Sequence, residues 1–128
     1  MKYFIIIFIT VISIAAFAQT REIIDNAPSN YLNGLKSDNL GVVESAIFHS
    51  VKFKLYYPDE KMDKLISELN KLIGEGETGT IRHKAYIALQ FLNNPGLLSK
   101  IEKRDYKDPV QFFLMLGDSL NDYIFATK

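Results

Sequence analysis

The amino-acid sequence predicts an all-α domain built from paired helices, and three observations carry that expectation. In MDKLISELNKLI the apolar residues Met62, Leu65, Ile66, Leu69, Leu72 and Ile73 recur every three or four positions, while Asp63, Lys64, Ser67, Glu68 and Lys71 occupy the other side. No stretch of comparable length alternates apolar and polar residues with period two, so no sheet is expected. Proline, glycine and Asx residues cut the chain into helix-sized pieces.

The bulk numbers bound the function. The chain has 128 residues, with 15 basic and 15 acidic side chains and a formal charge of zero. No excess of Lys and Arg is available to displace phosphate counterions along a groove, which excludes a strongly basic nucleic-acid binder. An acidic disordered tail is excluded as well. Hydrophobic residues make up 48% of the chain, enough for one globular domain with its own core. There is no cysteine. Disulfides, thiolate metal sites and lipid attachment at a cysteine after a signal are therefore ruled out.

Taken in order, residues 1–18, MKYFIIIFITVISIAAFA, have the layout of a cleavable signal peptide. Lys2 supplies the basic start, an apolar run follows from Tyr3, and the small residues Ala16 and Ala18 fit a peptidase pocket. Cleavage leaves Gln19 first in an exported chain, periplasmic or secreted, with no stable membrane span. An uncleaved anchor is the alternative, set against a segment on the short side of the ~20 residues that a spanning helix needs. Residues 19–28 read as a flexible polar lead-in, and 29–128 as a single helical domain.

Helices are expected over 29–36, 40–57, 59–73, 80–93, 95–105 and 109–126. Ser37, Asp38 or Asn39 caps the second, and Thr78 or Thr80 the fourth. Pro58, Pro95 and Pro109 stand at first turns, where proline loses no helix hydrogen bond, and Asn94 and Asp108 precede the last two as caps. GEGETG, residues 74–79, is a flexible connection with glycine available for a left-handed C-cap after Ile73.

Two of these helices are alike. With Val42 laid over Ile81, Val43 meets Arg82, Ala46 meets Ala85, His49 meets Ala88 and Ser50 meets Leu89. A period of about 40 residues with two helices per unit is what stacked helical repeats show. Small residues at Ala46 and Ala85 let one helix approach its partner closely, and each pair keeps an apolar side that only a neighbouring pair buries.

IRHKAYIAL, and more weakly VVESAIFHS, resemble the second-helix signature of HEAT repeats: an apolar residue followed by arginine, then alanine, then leucine. YLNGLKSDN and LISELNKLIGEGET match the first helix and turn, with Asp38 where that family often carries aspartate. The resemblance implies a short right-handed stack of antiparallel helix pairs, a HEAT/ARM-like α-α superhelix, with units over 29–57, 58–93 and 95–126. Its repeat positions are Val42, Ala46, Ile81, Arg82, Ala85, Ala88 and Leu89. In the third unit Val110 and Gln111 stand at the apolar and arginine positions, but Phe113 and Leu114 fall where alanine is expected, so this unit reads as a cap. The resemblance also implies that Arg82 pairs with Asp38, Glu44 or Glu77 across the repeat. Holding an anion or a substrate carboxylate is its functional alternative.

Chemical candidates are few. His49 and His83 lie on separate expected helices in no metal-binding spacing, and both read as structural, His49 on a partly buried flank. No serine lies in a GxSxG turn, and GEGETGT lacks the lysine and preceding strand of a phosphate loop. Asp59 with Glu60, and Asp118 with Asp122, sit at helix starts or on solvated faces. No catalytic residue, cofactor site or metal site is expected.

Two surface features remain. In VKFKLYYP, Lys52, Lys54, Tyr56 and Tyr57 either complement the helix dipole or form a contact patch. FFLML, residues 112–116, is either packed against the preceding pair or a docking surface. The function expected is that of an exported, non-catalytic helical-repeat module for protein–protein interaction or scaffolding. Its partner is an unknown protein or envelope component, not nucleic acid. The alternatives are a small enzyme using Arg82 and a histidine, and a self-associating envelope structural protein.

Overall fold

A computed structural model describes residues 20–126. Among these the chain is all-helical, without a strand: α1 over residues 20–35, α2 Leu40–Tyr56, α3 Asp63–Glu75, α4 Gly79–Asn93, α5 Pro95–Leu98 and α6 Pro109–Ala126. The signal segment expected over 1–18 lies outside the described residues.

Local chemistry sets most of the helix starts. The Asn39 side chain accepts from the backbone N–H groups of Gly41 and Val42 at 2.9 and 3.3 Å, and the Thr78 hydroxyl accepts from that of Ile81 at 3.1 Å. Asn94 accepts from Leu97 at 3.1 Å, and Asp108 from Val110 and Gln111 at 3.0 and 3.3 Å. Each cap satisfies donors that the first helical turn leaves without an intrahelical partner.

Four expectations need correction. Residues 20–28, expected as part of a flexible lead-in, are helical, and α1 runs through Pro28. A proline in a helix interior costs about 3 kcal/mol. Burial of Ala27 and Leu35 and partial burial of Ile24 and Tyr31 offset it, together with Arg21, which meets Asp25 at 2.7 Å and Glu60 at 2.8 Å. The third helix starts at Asp63, not at 59. Residues 57–60 close a turn instead, with the Glu60 N–H donating to the Tyr57 carbonyl at 3.1 Å and the Lys54 ammonium donating to the Glu60 carbonyl at 2.7 Å.

The helix expected over 95–105 ends at Leu98. Leu97, Leu98 and Ile101 are buried, but the next four residues, Glu102 to Asp105, are charged and exposed, so no apolar face continues. The left-handed glycine cap after Ile73 is also absent: no described glycine has a positive φ. Helix α3 runs on to Glu75, and the Gly76 carbonyl accepts from Arg82 Nη1 at 2.7 Å. Gly76 is required for space, since a Cβ there would lie 2.7 Å from the Leu72 carbonyl oxygen.

Helices α1 and α2 are antiparallel. Tyr31 stacks on His49 and meets Phe53 edge-on, while Gly34, further along α1, meets Ala46, earlier in α2. A Cβ at Gly34 would come within 2.8 Å of that of Ala46, so the pair marks a close approach of the two helices. Helices α3 and α4 are joined by the three residues 76–78 and pack along each other.

Helix α4 is central, touching α2, α3, α5 and α6. Ala85 and Ala88 are fully buried on it, and so is Phe91, whose burial is worth roughly 1.5–3 kcal/mol. Lys84 lies over the Phe113 ring and Ile87 lies beside Gly117, so α6 runs along α4 in the same direction. Phe112 closes the other side against Phe48, with ring centroids 5.3 Å apart.

The burial of α2 and α4 coincides one residue away from the sequence alignment. Val43, Ile47, Ser50, Val51 and Phe53 are buried as Ile81, Ala85, Ala88, Leu89 and Phe91 are. Val42 is 44% exposed against 1% for Ile81, and His49 is exposed where Ala88 is buried. Ser50 tolerates complete burial because its hydroxyl donates to the Ala46 carbonyl at 2.6 Å.

Candidate functional site

The four residues expected as a contact patch have different environments. Lys52 extends from α2 toward the segment between α5 and α6, where its ammonium meets Asp105 at 2.9 Å and lies 4.9 Å from the centre of the Phe48 ring. Lys54 is held by the Glu60 carbonyl. Tyr57 leans on Phe53 with ring centroids 5.1 Å apart, and Tyr56 is 41% exposed. The lysines therefore fasten connecting segments to α2, and the tyrosines alone face solvent.

Arg82 pairs with none of Asp38, Glu44 or Glu77. Its guanidinium is taken up by the Gly76 carbonyl, so it fixes the α3–α4 turn. The cross-helix ion pair is made instead by Lys84, two residues on, whose ammonium lies 3.4 Å from Glu44. His83 is exposed and borders a groove beside α6. His49 stacks on Tyr31 at 6.0 Å; burial first, and the nearby Lys52 second, hold its pKa below the ordinary 6.5. Arg82 and His83 are neighbours on α4, and His49 lies on α2. Among the described residues no group of three His, Cys, Asp or Glu side chains is placed to hold a metal ion.

Two concavities flank the start of α6 and share Lys84. The first is an apolar groove of about 500 Å³ between α4 and α6. Ile87 and Phe113 form its buried floor, Val110 and Leu114 stand 61% and 58% exposed at its edge, and Lys84 supplies positive charge. No acidic side chain among the described residues lines it. The FFLML stretch thus divides: Phe112, Phe113 and Leu116 pack inward, and Leu114 faces out. One turn of helix separates Val110 from Leu114, which places both on one side.

The second concavity is a cleft of about 470 Å³ between α2 and the segment leading into α6. Lys52, Lys84 and Lys107 line it against Glu44 and Asp105, with His49 and Ser45 on the α2 wall. The hydrogen bond from Lys52, and then its charge, lower the pKa of Asp105 below the usual carboxylate value.

Lys84, Glu44 and Asp105 carry this region, and periodicity did not single them out. Charged residues at helix edges read as solvated, and only the approach of α2, α4 and the 99–108 segment brings them together. Leu114 had a signal in the continuous run FFLML, which is wider than one buried stripe. No helix among the described residues is long and apolar enough to cross a membrane. Compared with known proteins, the chain matches no family model, no curated protein and no solved structure.

Proposed function

We propose that this is an exported, non-catalytic module of HEAT-like stacked helix pairs that binds a protein partner through the groove between α4 and α6. The observation that carries the reading is the pair Val110 and Leu114, both mostly exposed beside a buried apolar floor of Ile87 and Phe113. Exposed branched aliphatic side chains on one side of a helix are what helix-in-groove recognition uses. The partner segment is amphipathic. Its apolar side chains enter the groove, which no acidic side chain among the described residues lines; Lys84 at its rim is already engaged by Glu44. Export rests on the basic start, apolar run and small residues of 1–18. The resemblance of IRHKAYIAL and the burial of Ala46 and Ala85 support the stacked-pair reading.

A photo-crosslinking residue at position 114, compared with one at Glu102, tests the groove in cells of the source organism. Adducts are expected at 114, absent at 102, and lost when Val110→Asp is added. Equal labelling at both positions removes the groove from the proposal. Export is tested by the mass of the native protein, which is expected to begin at Gln19.

A further inference from the structure

The cleft between α2 and the 99–108 segment has a charge arrangement that the partner-binding groove does not explain. Lys52 comes from α2 and Lys84 from α4, yet both line the same cleft, each meeting one of its acids, Asp105 and Glu44. Their side chains are each only 16% exposed, held by packing over the rings of Phe48 and Phe113 at 4.9 and 5.5 Å. The carboxylates that meet them are far more open: Asp105 is 65% exposed and Glu44 is 39%. The cations are thus fixed by the fold, whereas the anions are kept mainly by ion pairs of the exposed kind, which contribute little. Lys107 adds a third positive charge, so three lysines face two acids.

We infer that this cleft binds a small organic dicarboxylate, one acid group taking the place of Asp105 on Lys52 and the other that of Glu44 on Lys84. Two ammonium groups on separate helices, each already meeting a separate carboxylate, match two acid groups joined by a carbon frame. The volume of about 470 Å³ holds such a ligand. Ser45 and Lys107 also line the cleft and carry the donors that the remaining carboxylate oxygens need. Val110 and Leu114 do not line this cleft, so loss of the groove reading leaves it standing.

The test is a titration of the ¹⁵N-labelled full-length chain with succinate, glutarate, acetate and inorganic phosphate at constant ionic strength. Succinate or glutarate is expected to shift the Gly41, Ser45 and Lys107 amides saturably, with acetate and phosphate much weaker. Glu44→Gln and Asp105→Asn remove the competing acids, and each is expected to tighten binding about threefold to fivefold, the scale of an exposed ion pair. Lys52→Met and Lys84→Met, which keep the packing over the rings, are expected to abolish saturation, while Lys103→Met outside the cleft leaves it unchanged. Equal response to acetate or phosphate overturns the inference, as does a failure of Glu44→Gln and Asp105→Asn to tighten binding. An equal loss in Lys103→Met reduces it to bulk charge.

Discussion

The α3–α4 hairpin and the segment from residue 94 to residue 108 begin from similar materials and end as different structures. Each has a capping side chain, Thr78 in one and Asn94 in the other, and each offers leucines to the core. In α3 the apolar residues continue at three and four through Ile73, so every turn buries something. After Asn94 they stop at Ile101, and the chain leaves the helix for an irregular path anchored by Tyr106. The difference teaches that a cap starts a helix but only a sustained apolar face extends it, because isolated short helices are marginal in water. It also has a functional side, since the irregular path lets Asp105 and Lys107 reach the cleft.

The sharpest way to break this comparison is to remove the α6 ring on which the irregular path rests. Phe112 is 1% exposed and meets Phe48 and Tyr106 at 5.3 and 4.7 Å. Phe112→Ala is expected to cost about 3–5 kcal/mol in urea unfolding. Amide exchange is expected to show the 99–108 segment released as well, because Tyr106 loses its support. Leu69→Ala in α3 is expected to cost about 2–5 kcal/mol while leaving that segment protected relative to the rest. Equal release in both variants would merge the two regions into one unit.

Next in size is the α3–α4 turn. A Cβ at Gly76 would sit 2.7 Å from the Leu72 carbonyl oxygen and 3.0 Å from Arg82 and Ile81 side-chain atoms. Gly76→Ala is therefore expected to cost about 1–3 kcal/mol, the range for overpacking, although its φ of −55 suits alanine. An unchanged unfolding midpoint would mean that the turn gives way easily.

The two caps provide a smaller contrast. Thr78→Ala is expected to lower global stability by about 1 kcal/mol, since Thr78 starts the central helix. Asn94→Ala is expected to act locally, raising amide exchange over α5 with little movement of the global midpoint. A global loss as large as that of Thr78→Ala would place α5 in the cooperative core.

The smallest expected effect is set by pH. The pKa of His49 lies below the ordinary 6.5, by burial first and by Lys52 second. Between the folded value and 6.5 the unfolded chain binds more protons, so stability falls as pH drops through that window. His49→Gln is expected to flatten this part of the pH profile of the urea midpoint. An unchanged slope would assign the dependence to another group.

Much of this was legible in the residues. The four caps Asn39, Thr78, Asn94 and Asp108 work through atoms within three positions of themselves, so spacing reveals them. The amphipathic face of α3 was plain for the same reason. The part of helix α1 before residue 29 was not, because the segment is polar and the compensating burial of Ala27 lies in contacts made across the fold. The cleft was not legible either: Glu44, Lys84 and Asp105 are far apart in the chain, and each alone looks like an ordinary surface charge.

By itself, then, the sequence determined the helical class and narrowed each cap to one to three neighbouring residues, since these depend on periodicity and on backbone groups nearby. Tertiary structure decided which of two adjacent residues, Val42 or Val43, turns inward, where α5 stops, and which cations face one cleft. The physical reason is reach: hydrogen bonds within a turn are written in neighbouring residues, whereas burial and charge pairing between helices are settled only when their surfaces meet.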